Sequence, residues 1–306
     1  MSITTTRYAG HEAIRIDAGR IALMVTTSVG PRVLGLLTED GRNHFAELPE
    51  MTLDCPGSGP IHLRGGSRLW VAPEDPRVTY RPDDDPVAVD EIGAGVRLVT
   101  HPDPVAGTAR ETSIRVTGPE RLSFDYRVVN SADRPQRLAA WAITMMAPHG
   151  RAWLPVLTEP FDTGGFQAQR NIVLWSYARN DDPRFVLHDH AIELRAAVLT
   201  DQPELGRFKV GTSLRRGWVA HWLDGVLLVK RAGHDESREY ADMGASGQLY
   251  SQADFTELET LGPLTDLAPG DAAEHHEDWE VHLVDEAEAE RLVASGELDR
   301  RAKGTP

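Results

Sequence analysis

FTELETLGPLTDLAPGDAAEHHEDW, residues 255–279, is the stretch on which the fold assignment turns. Written as a strand, it puts Phe255, Glu257, Glu259 and Leu261 on one side and Thr256, Leu258 and Thr260 on the other, because successive strand side chains point to opposite faces. Two carboxylates thus share a face with two apolar residues. Their Cβ atoms fall roughly 6.5–7 Å apart, two strand rises, so each anion disfavours the other and one is expected to keep its proton above the usual carboxylate range. Such a pair is costly in a plain core and useful in a site; a solvated strand face is the competing reading. Pro263 breaks the ladder, LAPGD makes a Pro-Gly turn, and a returning strand over 273–284 carries Trp279, Val281 and Leu283 on alternate positions. His275, His276 and Glu277 follow the turn directly and are expected at the surface.

Upstream, the first third reads as short extended pieces over 12–16, 20–29 and 32–38, broken at Gly30-Pro31 and turned at Glu39-Asp40-Gly41. Residues 48–60 carry Pro49, Pro56, Gly57, Gly59 and Pro60 and are expected to form a loop holding the lone Cys55. RGGSRLWVAPED, residues 64–75, follows. Gly65-Gly66 permits unusual backbone angles, and Arg68 shares a strand face with Trp70. An arginine fork beside an indole suits a polar ring, with the fork on oxygens and the aromatic face on C–H surface; a structural stacking pair is the alternative. RPDDDP, residues 81–86, is expected to be a solvated acidic turn.

Between 87 and 148 the chain becomes a meander of strands over 87–91, 96–100, 108–117, 121–130 and 137–146, separated by Gly, Pro, Asn or Asp. RLSFDYRVVN alternates cleanly, with Leu122, Phe124, Tyr126 and Val128 on the core face. LAAWAITMMAP, residues 138–148, is apolar on both sides and predicts a central strand covered on both faces or lining a cleft, with Trp141 either core or ligand platform. Strands are also expected over 171–178, 185–195, 209–212, 218–222 and 226–231. His188 and His190, at i and i+2, would share a face but need a third ligand from elsewhere to hold a metal. Lys230, at the end of an apolar run, projects its amine into a site or into solvent. Residues 285–301 read as one exposed amphipathic helix and 303–306 as a frayed tail.

A chain of 306 residues with 41% hydrophobic and 26% charged content is ordinary for a globular protein with a large core. Its net charge of −15 argues against nucleic acid as the main partner and favours a neutral or cationic small ligand. One cysteine excludes an internal disulfide. The N-terminus lacks the pattern of a secretion signal and no segment has the length of a membrane span, so a cytoplasmic location without membrane association is expected. There is no phosphate loop, G-x-S-x-G elbow, H-E-x-x-H helix or internal repeat, and neither a cofactor nor a metal is expected.

Taken together, RGGSRLWVAPED, GWVAHWLDGVLLVKR at 217–231 and FTELETLGPLTDLAPGDAAEHHEDWE resemble the galactose mutarotase-like (aldose 1-epimerase-like) proteins over about residues 20–284. The resemblance implies an all-β fold, a β-supersandwich of many antiparallel strands with a short C-terminal helix: one domain over 1–284, then helix and tail over 285–306. It also implies a carbohydrate or sugar-like ligand on the concave face, and a monomer or homodimer. In sugar mutarotases a late glutamate acts as base on the anomeric hydroxyl and a central-strand histidine protonates the ring oxygen. Glu259 in LETLGP matches the late glutamate, with Glu257 as the alternative, and Arg68 matches an early arginine that holds sugar hydroxyls. The acid departs from the pattern: WAITMMAP carries no histidine, and His149 is the first after it. His190, His188 or Lys230 would have to substitute, with Trp70 and Trp141 as further substrate contacts. The implied function is acid–base chemistry of the aldose 1-epimerase kind. The alternatives are a noncatalytic carbohydrate-binding protein, or the same scaffold recruited for elimination or epimerisation on a glycosylated metabolite.

Overall fold

The computed structural model describes residues 2–55, 59–160 and 162–300, so the 303–306 tail lies outside the described residues. Two antiparallel sheets face each other. Through the middle of the 12-stranded sheet run Arg32–Thr38, Gly59–Ala72, Gln136–Met146, Phe255–Leu261, Gly247–Gln252 and Phe208–Thr212, in that spatial order. The 10-stranded sheet is centred on Arg151–Pro155, Trp218–Leu223, Val226–Ala232, Ala272–Leu283, Arg121–Asn130 and Thr108–Gly118. The alternation at 255–261 decides which side chains each layer receives. Leu258 joins Leu69, Ala140 and Ala142 in the core between the sheets, where Phe124, Leu228 and Trp279 of the opposite sheet meet them. Phe255 and Leu261 turn the other way and pack with Trp70, Trp141 and Ile143 on the outer face of the larger sheet.

Gln136–Met146 is buried from Leu138 onward, as an apolar strand flanked on both edges must be. RLSFDYRVVN buries Leu122, Phe124, Tyr126 and Val128 on one face, and Asp224-Gly225 turns the hairpin between Trp218–Leu223 and Val226–Ala232. After residue 284 the chain forms two short helices, Glu286–Ala294 and Glu297–Arg300, rather than one. Asp285 caps the first by accepting a hydrogen bond from the Glu288 amide at 2.9 Å. Their apolar side is covered: Leu292, Val293 and Leu298 pack on Trp153, Trp218 and Val229. No helix among the described residues is long and apolar enough to cross a membrane.

Several expectations are corrected. The 48–60 stretch is not a loop but two arms of a hairpin, Glu47–Cys55 pairing with the start of Gly59–Ala72 and Leu53 opposite Ile61. Proline is tolerated because this arm pairs on one edge only and its register slips between Leu48 and Thr52, around Pro49; residues 56–58 are outside the described set. Within 171–178 only Val173–Leu174 pairs. The 185–195 strand is interrupted into Phe185–Leu187 and Ala191–Arg195. In the acidic turn, Asp83 is nearly buried between Arg32 and Arg64, at 2.5 and 3.0 Å.

The largest correction concerns Lys230, His275 and Glu277. Ala273, His275, Glu277 and Trp279 keep one parity and all point between the sheets, so His275 and Glu277 are buried while His276 stays exposed. Lys230, fully buried, lies 2.9 Å from Glu277 and donates to the Thr144 hydroxyl at 3.0 Å and the Leu258 carbonyl at 3.2 Å. Glu277 also accepts from Trp279 Nε1 at 2.8 Å, Tyr126 OH at 3.1 Å and the Thr260 hydroxyl. Burial pushes its carboxyl up, but Lys230, His275 and these hydrogen bonds outweigh that and hold it below the usual range. Lys230 is thus the counter-ion of a buried carboxylate and projects into neither a site nor solvent.

Candidate active site

The outer face of the larger sheet holds a cleft of about 240 Å³, and strand register explains what lines it. Ile143 stands opposite both Arg68 and Glu259, and Gln248 is the next neighbour of Glu259 in the same row. One pleat further on, Met145 stands opposite Gly66 and Glu257, followed by Tyr250 and then Lys209. Cross-strand partners share a face, so three strands far apart in sequence deliver an arginine, two glutamates and a lysine to one surface. Gly66, at φ +67°, permits the close approach of its neighbour: a Cβ there would sit 2.1 Å from the Val33 carbonyl oxygen.

Arg68 Nη2 lies 3.4 Å from Glu257 Oε1, its guanidinium stacks 3.9 Å above the Trp70 ring, and Nη1 is 2.9 Å from Met145 Sδ. Burial, followed by the nearby Glu259, pushes the Glu257 carboxyl up to about 7, against Arg68 and Lys209. Glu259 is fully buried. Its Oε2 accepts from Lys209 Nζ at 2.8 Å and Trp141 Nε1 at 2.9 Å, yet burial still leaves this carboxyl raised. The Lys209 ammonium sits 4.8 and 4.7 Å from the ring centroids of Trp141 and Trp175. Tyr177, stacked under Arg207 at 4.1 Å, and Tyr250 complete the wall, both phenols raised chiefly by burial.

Three buried polar atoms on this face find no partner among the described residues: Arg68 Nε, Glu259 Oε1 and Gln248 Oε1. Gln248 cannot be turned round to satisfy its oxygen, because its amide nitrogen already donates to Asp242 at 2.7 Å and to the Ala245 carbonyl at 2.9 Å. Unpaired buried valences are uncommon and expensive in a native structure.

No family model matches the chain, and no curated protein matches it in sequence. Solved structures do. A galactose mutarotase-like protein from Lactobacillus casei superposes with a TM-score of 0.54 at 12% identity, over 88% of this chain and 100% of that one. A second, from Clostridium acetobutylicum, gives 0.51 at 11% identity, covering 92% and 99%. A candidate aldose 1-epimerase from Klebsiella pneumoniae gives 0.58 at 11% identity, covering 94% and 83%. The chain has the galactose mutarotase-like fold.

On this mutarotase-like scaffold the residues singled out in the sequence separate into two groups. Arg68, Trp70, Trp141 and Glu257 line the cleft, and Glu259 lies beneath it, bonded to Trp141 and Lys209. The proposed acids stand elsewhere. His149, at φ +74°, places Nδ1 3.0 Å from the Thr200 hydroxyl. His188 Nε2 is 2.8 Å from Glu193 and its ring stacks on His190 at 5.6 Å, in the turn beside Ala191–Arg195 of the other sheet. Among the described residues, no group of three or more His, Cys, Asp or Glu is placed to hold a metal ion. Sequence reasoning missed Lys209, Trp175, Tyr177 and Arg207. The i, i+2 aromatics of LWSYAR and the charged residues flanking Phe208 were the available signals.

Proposed function

We propose that this protein is a sugar-active isomerase of the aldose 1-epimerase kind, working by general acid–base proton transfer on a single sugar ring. The observation that carries the reading is the presence of Glu257 and Lys209, a carboxyl raised toward neutrality and an ammonium, on the wall of one aromatic-sided cleft. The cleft falls below the roughly 300–1,000 Å³ of drug-sized sites, which suits a monosaccharide better than an extended glycan. Glu257 rather than Glu259 is the base in this scheme, since Glu259 has one oxygen committed to Lys209 and Trp141 and no exposed surface.

In the forward step ionised Glu257 takes the proton of the anomeric hydroxyl, the bond from C1 to the ring oxygen breaks, and Lys209 delivers a proton to that oxygen. The open aldehyde turns about its C1–C2 bond. Closure on the other face returns the ring-oxygen proton to Lys209 and the carboxyl proton to the new anomeric oxygen, so the enzyme ends as it began. Arg68 orients Glu257 and offers its unpaired Nε–H to a sugar hydroxyl, while Trp70, Trp141 and Trp175 cover C–H faces. Glu259 accepts a hydrogen bond from Lys209 at 2.8 Å and so positions it. The Klebsiella pneumoniae neighbour supports the same chemistry by fold alone. Saturation-transfer NMR on a panel of aldose anomers tests it. Exchange accelerated by wild-type protein is expected; binding without exchange would assign a noncatalytic carbohydrate-binding protein, and neither would remove the sugar.

A further inference from the structure

A second, smaller cavity of about 120 Å³ opens where the loops around Gly30, 82–87 and 100–104 converge on the first residues of Thr108–Gly118. Arg110 lines it and is only 8% exposed. Its guanidinium makes no hydrogen bond to a described residue, and no carboxylate among them comes within the 4.0 Å of an ion pair. The Thr108 hydroxyl, on the same wall and 2% exposed, is likewise without a partner. A buried, always-charged group with open donors is costly to leave unmatched.

The carboxylates nearby are spoken for. Asp83 is paired with Arg32 and Arg64, and Asp103 with Arg81 at 2.7 Å while also accepting the Val105 and Ala106 amides at 2.8 Å. Asp85 and His101 stand exposed at the rim. Asp83 and Asp103 still favour the Arg110 charge through space, but neither makes a hydrogen bond or close ion pair with it. We propose that Arg110 and Thr108 form a site for a small oxyanion, a phosphate or the carboxylate of a small metabolite, separate from the sugar cleft. The guanidinium fork supplies two parallel charge-assisted hydrogen bonds and the threonine hydroxyl a third. The volume admits such a group and little more.

The test is a titration of the uniformly 15N-labelled full chain, observing arginine Nε–Hε resonances, with inorganic phosphate in one arm and acetate in the other at ionic strength matched by sodium chloride. One resonance, absent in Arg110→Gln, is expected to move saturably. Movement with phosphate alone identifies phosphate as the ligand; movement with both includes carboxylates. Thr108→Val, which keeps the charge, should weaken the response about tenfold. The wild-type titration stands even if Arg110→Gln does not fold. No saturable movement in either arm, or the same movement with Thr108→Val as with wild type, would overturn the site.

Discussion

Arg68 and Glu257 meet at 3.4 Å across 189 positions of chain, the arginine from Gly59–Ala72 and the glutamate from Phe255–Leu261. Between them runs the Gln136–Met146 strand, paired on one side with Gly59–Ala72 and on the other with Phe255–Leu261. The contact therefore exists because that central strand fixes both registers. It places an orienting cation beside the proposed base.

Glu257→Gln should lower anomer exchange by roughly 10²–10⁴-fold while leaving sugar binding largely intact, since the amide keeps an acceptor toward Arg68 but cannot take a proton. Exchange and binding measured by NMR on the same sample separate the two effects. Glu257→Gln exchanging at the wild-type rate would remove Glu257 as the base.

The raised Glu257 carboxyl has a signed consequence for pH. The native protein keeps a proton that the unfolded chain has already released between the usual value of 4.5 and about 7. Native binding exceeds unfolded binding over that window, so the contribution is fully present at its lower end and is lost as pH rises toward 7, on the order of 3 kcal/mol. Urea titrations from pH 5 to 8 should show this slope in wild type and not in Glu257→Gln. Catalysis runs the other way, rising with pH through about 7 as the base ionises.

Lys209→Met strips Glu259 of its counter-ion inside a fully buried site and should cost about 3–5 kcal/mol. Adding Glu259→Gln should return much of that loss, because the second change removes the unpaired charge. A denaturant double-mutant cycle measures the coupling, and simple additivity would mean that the two groups do not form a pair.

Lys230 and Glu277 form the corresponding pair between the sheets, both fully buried. Lys230→Met should likewise destabilise by about 3–5 kcal/mol. Because the pair lies on the face of Phe255–Leu261 opposite the cleft, sugar affinity of the folded fraction should not change. Isothermal titration at a temperature where the variant is folded distinguishes this structural role from a direct one.

Much of the architecture was legible because it rests on period two. The alternation of RLSFDYRVVN and the two-sided apolarity of LAAWAITMM each predicted the burial found. The same rule, carried backwards from Trp279, would also have put Glu277 and His275 inside; judging them by closeness to a turn concealed it. Lys230 was misread because an amine at the end of an apolar run looks exposed until its carboxylate partner, 47 positions on, is seen. The loop expectation at 48–60 failed for a related reason, since proline forbids a central strand and not a hairpin arm at an edge.

By itself the sequence determined the all-β strand pattern and which side chains share a strand face, because alternation along an extended chain is local geometry. It thereby set Glu257 with Glu259 and Arg68 with Trp70. Only the tertiary structure decided that these pairs face each other, that Lys209 rather than a histidine joins them, and that Arg110 enters a second cavity with no hydrogen-bonded partner among the described residues. Register between strands distant along the chain, and the charge left over once every buried ion has found its partner, are properties of the packed molecule and are written in no single segment.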